Sequence, residues 1–280
     1  VQREPDHRLG LTGIALSASD DKASVMVTTV ARDPKPQDPT FRFNEVKVLG
    51  YSSAEERVPV VVLAKGDTLQ GCRADSCWSF GLPAFADSVK IATKGQGEFT
   101  LTGIFLDNPF PGISVTGIGV NGASYSKCPD LMNDLRLVNP DLVILAVGIN
   151  DATAANFSVD DFVARYKVLV SQIRSVNPDC ALLFVSNNDS FRRIRRKGYV
   201  VNSNGKLAEQ SFLRLGKDCD AGVWNLFDIM GGLGSMRKWE EAGLAKRDKI
   251  HFTEKGYELV GDLLFNALMD KYVEHLKKGK

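Results

Sequence analysis

Asp248-Lys-Ile-His251 sets a carboxylate three positions before an imidazole, just ahead of a helix-like run. That pairing suits acyl-transfer chemistry. A hydrolase needs a base for its nucleophile, an orienter for that base and donors for the oxyanion. His251 can be the base, and Asp248 can hold its ring in one tautomer and stabilise the imidazolium. Two earlier stretches, Gly119-Val-Asn-Gly122 and Gly148-Ile-Asn-Asp151, supply candidate donors: the Gly122 backbone N–H and the Asn150 side-chain amide. Losing one such donor typically costs about 3–4 kcal/mol in the barrier. Each motif alone is ordinary, because D-x-x-H arises by chance and G-x-N-D is a common turn. The chain has only three histidines, and His7 and His275 fall near the start and on a Lys-rich terminal helix.

The elements that must position these residues follow two rhythms. Residues 1–110 hold short β-branched or alternating runs: 23–30, 41–51, 58–64, 87–93 and 97–106. Gly, Asp, Pro and Lys clusters separate them, which predicts a mainly antiparallel, jelly-roll-like β-sandwich domain. Residues 111–280 alternate strand and helix. Strands are expected at 112–120, 141–148, 181–186 and 222–229, and helices at 130–140, 158–178, 206–219 and 254–279. Ser158 is a candidate cap for the second helix, whose Phe162, Tyr166, Leu169 and Ile173 share one face. The apolar run 141–148 reads as a parallel strand buried on both faces. This succession predicts a parallel sheet wound with helices. In such sheets reactive groups lie beyond the carboxyl ends of the strands. Asp248 and His251 are therefore expected near Asn150, at one end of the sheet.

Composition narrows the class. The chain has 280 residues, 44% of them hydrophobic, and a net charge of +1. No global field favours nucleic acid or an anionic membrane, and no apolar run reaches the roughly 20 residues of a membrane span. Five cysteines include no C-x-x-C pair, against a zinc ribbon or dithiol redox site. Cys72 and Cys77 are close enough for a small disulfide loop, with buried or free thiols the alternative. No metal or cofactor site is evident.

Together, Gly119–Gly122, Gly148–Asp151 and Asp248–His251 resemble blocks II, III and V of the SGNH (GDSL-type) hydrolases, over roughly residues 112–275. The resemblance implies a flavodoxin-like three-layer α/β/α domain and a Ser-His-Asp esterase. Gly122 and Asn150 would serve the oxyanion, His251 would be the base and Asp248 its partner. The chain also resembles a bacterial subgroup whose β-rich, carbohydrate-binding-like insert separates blocks I and II. Members are exported acetylesterases acting on glycans, including peptidoglycan. A periplasmic or secreted location and an acylated carbohydrate partner follow from that likeness, with no nucleic-acid partner.

The family's nucleophilic serine belongs to a Gly-Asp-Ser that this chain does not contain. The chain starts at Val1, as a processed or partial sequence would, so the leading expectation puts that motif on a strand upstream. The alternatives are Thr68 of Gly66-Asp67-Thr68 as a replacement nucleophile, or a non-catalytic glycan-binding protein of the same fold. Tyr125, Asp151 and Trp239 are candidate substrate contacts. The basic stretch 191–205 reads as a solvated loop, an anionic-glycan contact or a lid.

Overall fold

The computed structural model describes residues 10, 13–31, 34, 41–52, 56–63, 66–119 and 135–279. Described residues group into two compact units. One runs through residue 119 and takes in Leu135; the other runs from Arg136 onward.

The first unit is all β. Its strands are β1 (Leu16–Ala18), β2 (Ser24–Thr28), β3 (Phe43–Ser52), β4 (Val58–Val62), β5 (Thr68–Gln70), β6 (Cys72–Ala74), β7 (Cys77–Ala86), β8 (Ser88–Lys94) and β9 (Phe99–Asp107). They form two sheets, β1-β9-β3-β7-β6 and β2-β8-β4-β5. All pairs are antiparallel. Val46, Val48, Trp78, Phe80 and Phe99 of one sheet share a buried core with Val61, Val89 and Ile91 of the other. Burying alternate residues of both sheets against each other makes a sandwich. Of the two alternatives for Cys72 and Cys77, the structure shows free thiols. The β6–β7 register sets Cys72 opposite Ser79, and Cys72 remains a thiol.

Residues 112–119, expected as the first part of a parallel strand, form none. Ile113 and Val115 are 94% and 87% exposed. A strand needs a neighbour for its backbone groups, and among the described residues none pairs with this segment.

The second unit is α/β. Its parallel sheet, β10 (Leu142–Leu145), β11 (Ala181–Val185) and β14 (Gly222–Trp224), runs in the order β10-β11-β14. An antiparallel hairpin, β12 (Phe191–Ile194) and β13 (Gly198–Val201), leaves the end of β11. Helices α1 (Leu135–Val138), α2 (Val159–Val176), α3 (Asn204–Asp218), α4 (Leu226–Ile229), α5 (Met236–Glu241) and α6 (Glu254–Lys278) complete it. Ser158 caps α2 by accepting from the Asp161 N–H. Phe162, Tyr166, Phe184 and Phe212 interlock between α2, α3 and β11. Phe162 and Tyr166 each meet Phe212 edge-on, Tyr166 meets Phe184 edge-on, and Phe184 is tilted against Phe212. Asn225 caps α4 and ends the expected strand 222–229 after three residues.

β10 departs from its expected double burial. Leu142 and Ile144 are 44% and 43% exposed, and among the described residues only β11 pairs with it. Among the described residues it is an edge strand with one face open, not the interior strand its sequence implies. α6 is likewise open, with Tyr257, Phe265 and Tyr272 more than half exposed.

Candidate active site

Asp248 and His251 form one hydrogen-bonded turn. Asp248 Oδ1 accepts from the backbone N–H groups of Ile250 (2.9 Å) and His251 (3.0 Å), and Oδ2 lies 2.9 Å from His251 Nδ1. A short Asp side chain suits this geometry because it can bond backbone two and three residues on. With Nδ1–H given to the carboxylate, Nε2 keeps its lone pair. The His251 side chain is 58% exposed. Partial burial pushes the Asp248 carboxyl up. The His251 backbone N–H, the His251 ring and the Ile250 N–H outweigh that and hold it below the usual carboxylate range.

The turn is anchored from below. Phe252, 4% exposed, packs on Trp239 with ring centroids 5.2 Å apart. Thr253 caps α6 by accepting from Gly256 N–H, and its own hydroxyl donates to Gly243 O at 2.8 Å. Gly256 allows the first turn of α6 to lie against the chain at Leu244. A Cβ there would sit 1.9 Å from Leu244 O and 3.1 Å from Phe252 Cβ.

The carboxyl end of β11 joins this turn to the Gly148–Asp151 loop. Asn188 Nδ2 donates to Ile250 O at 2.9 Å, and Phe191 N–H donates to Lys249 O at 3.0 Å. On the other side, Asn202 N–H donates to Ser190 O and Asn202 Nδ2 to Ala152 O, at 2.9 and 3.1 Å. Gly148, with φ +146°, approaches Asn187 so closely that a Cβ would lie 3.0 Å from Asn187 Oδ1. The two motif loops thus flank one connector, residues 186–191. Asn150 is exposed, and its carbonyl accepts from Thr153 N–H in the turn that Asp151 opens.

The remaining candidates fall in different places. Gly122 and Tyr125 lie outside the described residues. Trp239, a candidate substrate contact, is half-buried, gives its indole N–H to Met230 O (3.0 Å) and packs its ring on Phe252. Thr68 opens β5 of the sandwich and takes a hydrogen bond from Lys94 Nζ. It follows a β-hairpin turn, with no helix behind it. Among the described residues no cluster of three His, Cys, Asp or Glu side chains could hold a metal.

Sequence reasoning missed the connector. Ser186, Asn187, Asp189, Ser190 and Asn202 are all at least 93% buried. Among the described residues, Asn187 Nδ2 and Asp189 Oδ1 have no hydrogen-bond partner. Burial pushes the Asp189 carboxyl up, while the N–H groups of Met236, Gly234 and Ser190 oppose that rise. The available signal was Ser-Asn-Asn-Asp-Ser directly after a buried strand, five polar residues where a connection leaves a sheet.

An Asp–His pair beyond the carboxyl ends of an α/β sheet is an arrangement that acyl-transfer chemistry can use. The chain belongs to the GDSL-like lipase/acylhydrolase family, whose model matches residues 102–259, and it is a serine ester hydrolase by that membership. Among solved structures it is similar to a peptidoglycan O-acetylesterase, at 23% identity and a TM-score of 0.75, covering 94% of this chain and 72% of that one. An acetyl xylan esterase matches at 21% identity and a TM-score of 0.44, covering 54% of this chain and 79% of that one. A lipase/acylhydrolase from Enterococcus faecalis matches at 20% and 0.39, over 54% and 72%. No curated protein matches the sequence.

Proposed function

We propose that this protein is an extracytoplasmic carbohydrate esterase that removes O-acetyl groups from a glycan, with peptidoglycan as the leading candidate. One observation carries the mechanism: the 2.9 Å contact between Asp248 Oδ2 and His251 Nδ1, which leaves Nε2 free as a base. His251 takes the proton of a serine hydroxyl as its oxygen attacks the ester carbonyl. The Gly122 N–H and the Asn150 amide hold the oxyanion. The imidazolium then protonates the departing sugar hydroxyl, leaving an acetyl-serine. Water, deprotonated by His251, releases acetate and restores the serine.

These 280 residues hold no Gly-Asp-Ser, so we assign the serine to a strand other than those described. Among the described residues one edge of β10 has no partner strand, and Leu142 and Ile144 are exposed; both support that reading, as an interior strand would be paired and covered there. Likeness to the peptidoglycan O-acetylesterase supports the substrate class. Labelling the full-length protein with a fluorophosphonate tests the nucleophile. A single labelled serine upstream of residue 1, with labelling lost in His251→Ala, is expected. Undiminished labelling in His251→Ala would remove His251 as the base. An unlabelled parent protein would favour a non-catalytic glycan binder.

A further inference from the structure

The β12–β13 hairpin concentrates charge beside the candidate site. Arg192, Arg193, Arg195, Arg196 and Lys197 fall within six positions, in a chain whose net charge is only +1. The last four are exposed. Among the described residues no carboxylate forms an ion pair with any of the five. The stretch is a hairpin rather than the solvated loop its composition suggests, closed by Arg196 in a left-handed conformation, φ +68°.

Register gives this hairpin a defined face. Arg193 is directly opposite Tyr199, and Phe191 opposite Val201, so these four point the same way. Lys249 Nζ sits 5.7 Å from the Tyr199 ring centroid and 5.8 Å from that of Phe191. The Arg237 guanidinium lies 5.6 Å from the Phe191 ring. The Lys249 carbonyl accepts from Phe191 N–H, so the hairpin is tied to the turn that bears His251. Tyr199 remains 38% exposed.

We propose that the Arg193–Tyr199 face of the hairpin is a substrate rail that binds the carboxylates of an acidic glycan strand while its acyl ester lies at His251. The aromatic ring offers a stacking surface for a sugar. Flanking guanidinium groups offer forked donors that match carboxylates in geometry. Unpaired surface cations raise the local concentration of a polyanion and are screened by salt. An acidic glycan is favoured over other polyanions because the face adjoins an ester-cleaving turn, and to that extent the inference rests on the esterase reading.

Affinity electrophoresis tests the rail without any catalytic step. The probes are polygalacturonate and the same polymer with its carboxyls reduced. The parent protein is expected to be retarded by the acidic polymer alone, at least tenfold less at 300 mM than at 50 mM NaCl. The variant R193Q/R195Q/R196Q is expected to lose tenfold or more, and Tyr199→Ala to weaken retardation. The charge-matched control K217Q/K277Q/K278Q is expected to keep it. Equal retardation by both polymers, an unaltered hairpin variant, or tighter binding of single-stranded DNA at equal charge would each overturn the proposal. Hydrolysis of 4-nitrophenyl acetate by the full-length parent protein reports the esterase reading separately.

Discussion

Gly256→Ala and Gly261→Ala make the same chemical change in one helix and should act in opposite directions. Gly261 is exposed, and a Cβ there meets nothing within 4 Å. Alanine then gains only its helix preference, about 0.8–1 kcal/mol over glycine. At Gly256 the same gain meets a Cβ placed 1.9 Å from Leu244 O and 2.9 Å from Leu244 C. The obstacle is backbone, so relief requires α6 or the 243–245 chain to move by more than an ångström. Overpacking of that kind costs about 1–3 kcal/mol, and the closeness of the contact puts it at the upper end. The net is a loss of about 2 kcal/mol. For a unit of this size that is roughly 4–8 °C in Tm, against a rise of about 2–4 °C for Gly261→Ala. Thermal unfolding of both variants beside the parent reads the difference. The Gly256 change should also lower esterase activity in the full-length protein, because Phe252 lies against the same point. Stabilisation by Gly256→Ala would refute the close approach of α6 to Leu244.

Further outcomes follow from the charges and bonds around the turn. Asp248→Asn removes the carboxylate that fixes His251, and activity should fall by about 10³-fold or more, as in other enzymes when the orienting acid is lost. Because the Asp248 carboxyl is held below its ordinary range, the parent's stability advantage over Asp248→Asn should be present above the unfolded value of about 4. It should vanish as pH falls through the depressed folded value, which Tm against pH will show. Asp189 has the opposite sign. Its folded value is raised, so the parent loses stability as pH climbs from the unfolded value to the folded one. The Tm of Asp189→Asn relative to the parent should therefore rise across that window, and a flat difference would mean that Asp189 does not carry a raised value. Asn188→Ala deletes donors to Ile250 O and Asp189 O. At about 1 kcal/mol per bond, urea unfolding should register a loss of roughly 2 kcal/mol.

Periodicity made α2, α3 and α6 legible, each within about two residues, because their caps and apolar faces are local features. The Asp248–His251 turn was legible for the same reason, since its bonds span three residues or fewer. β7 was not. Gly81 and Pro83 break its pattern, yet Pro83 lies where the β3 register slips between Phe43 and Glu45 and no ladder N–H is required. The open face of β10 and the unpaired state of 112–119 depend on which strands neighbour them, which an apolar run does not encode. The connector at 187–190 was opaque because polar residues after a strand usually read as a solvated loop, while here they are buried between two loops distant in sequence. The basic hairpin was hidden in the same way, its two strands recognisable only through their pairing.

The most direct measurement is kcat/KM for 4-nitrophenyl acetate with the full-length protein and its His251→Ala variant. If His251 is the base of a serine esterase, the parent is active and the variant is slower by about 10²–10⁴-fold, the usual contribution of a positioned general base. Equal rates in the two proteins would contradict the assignment of this turn as the catalytic pair.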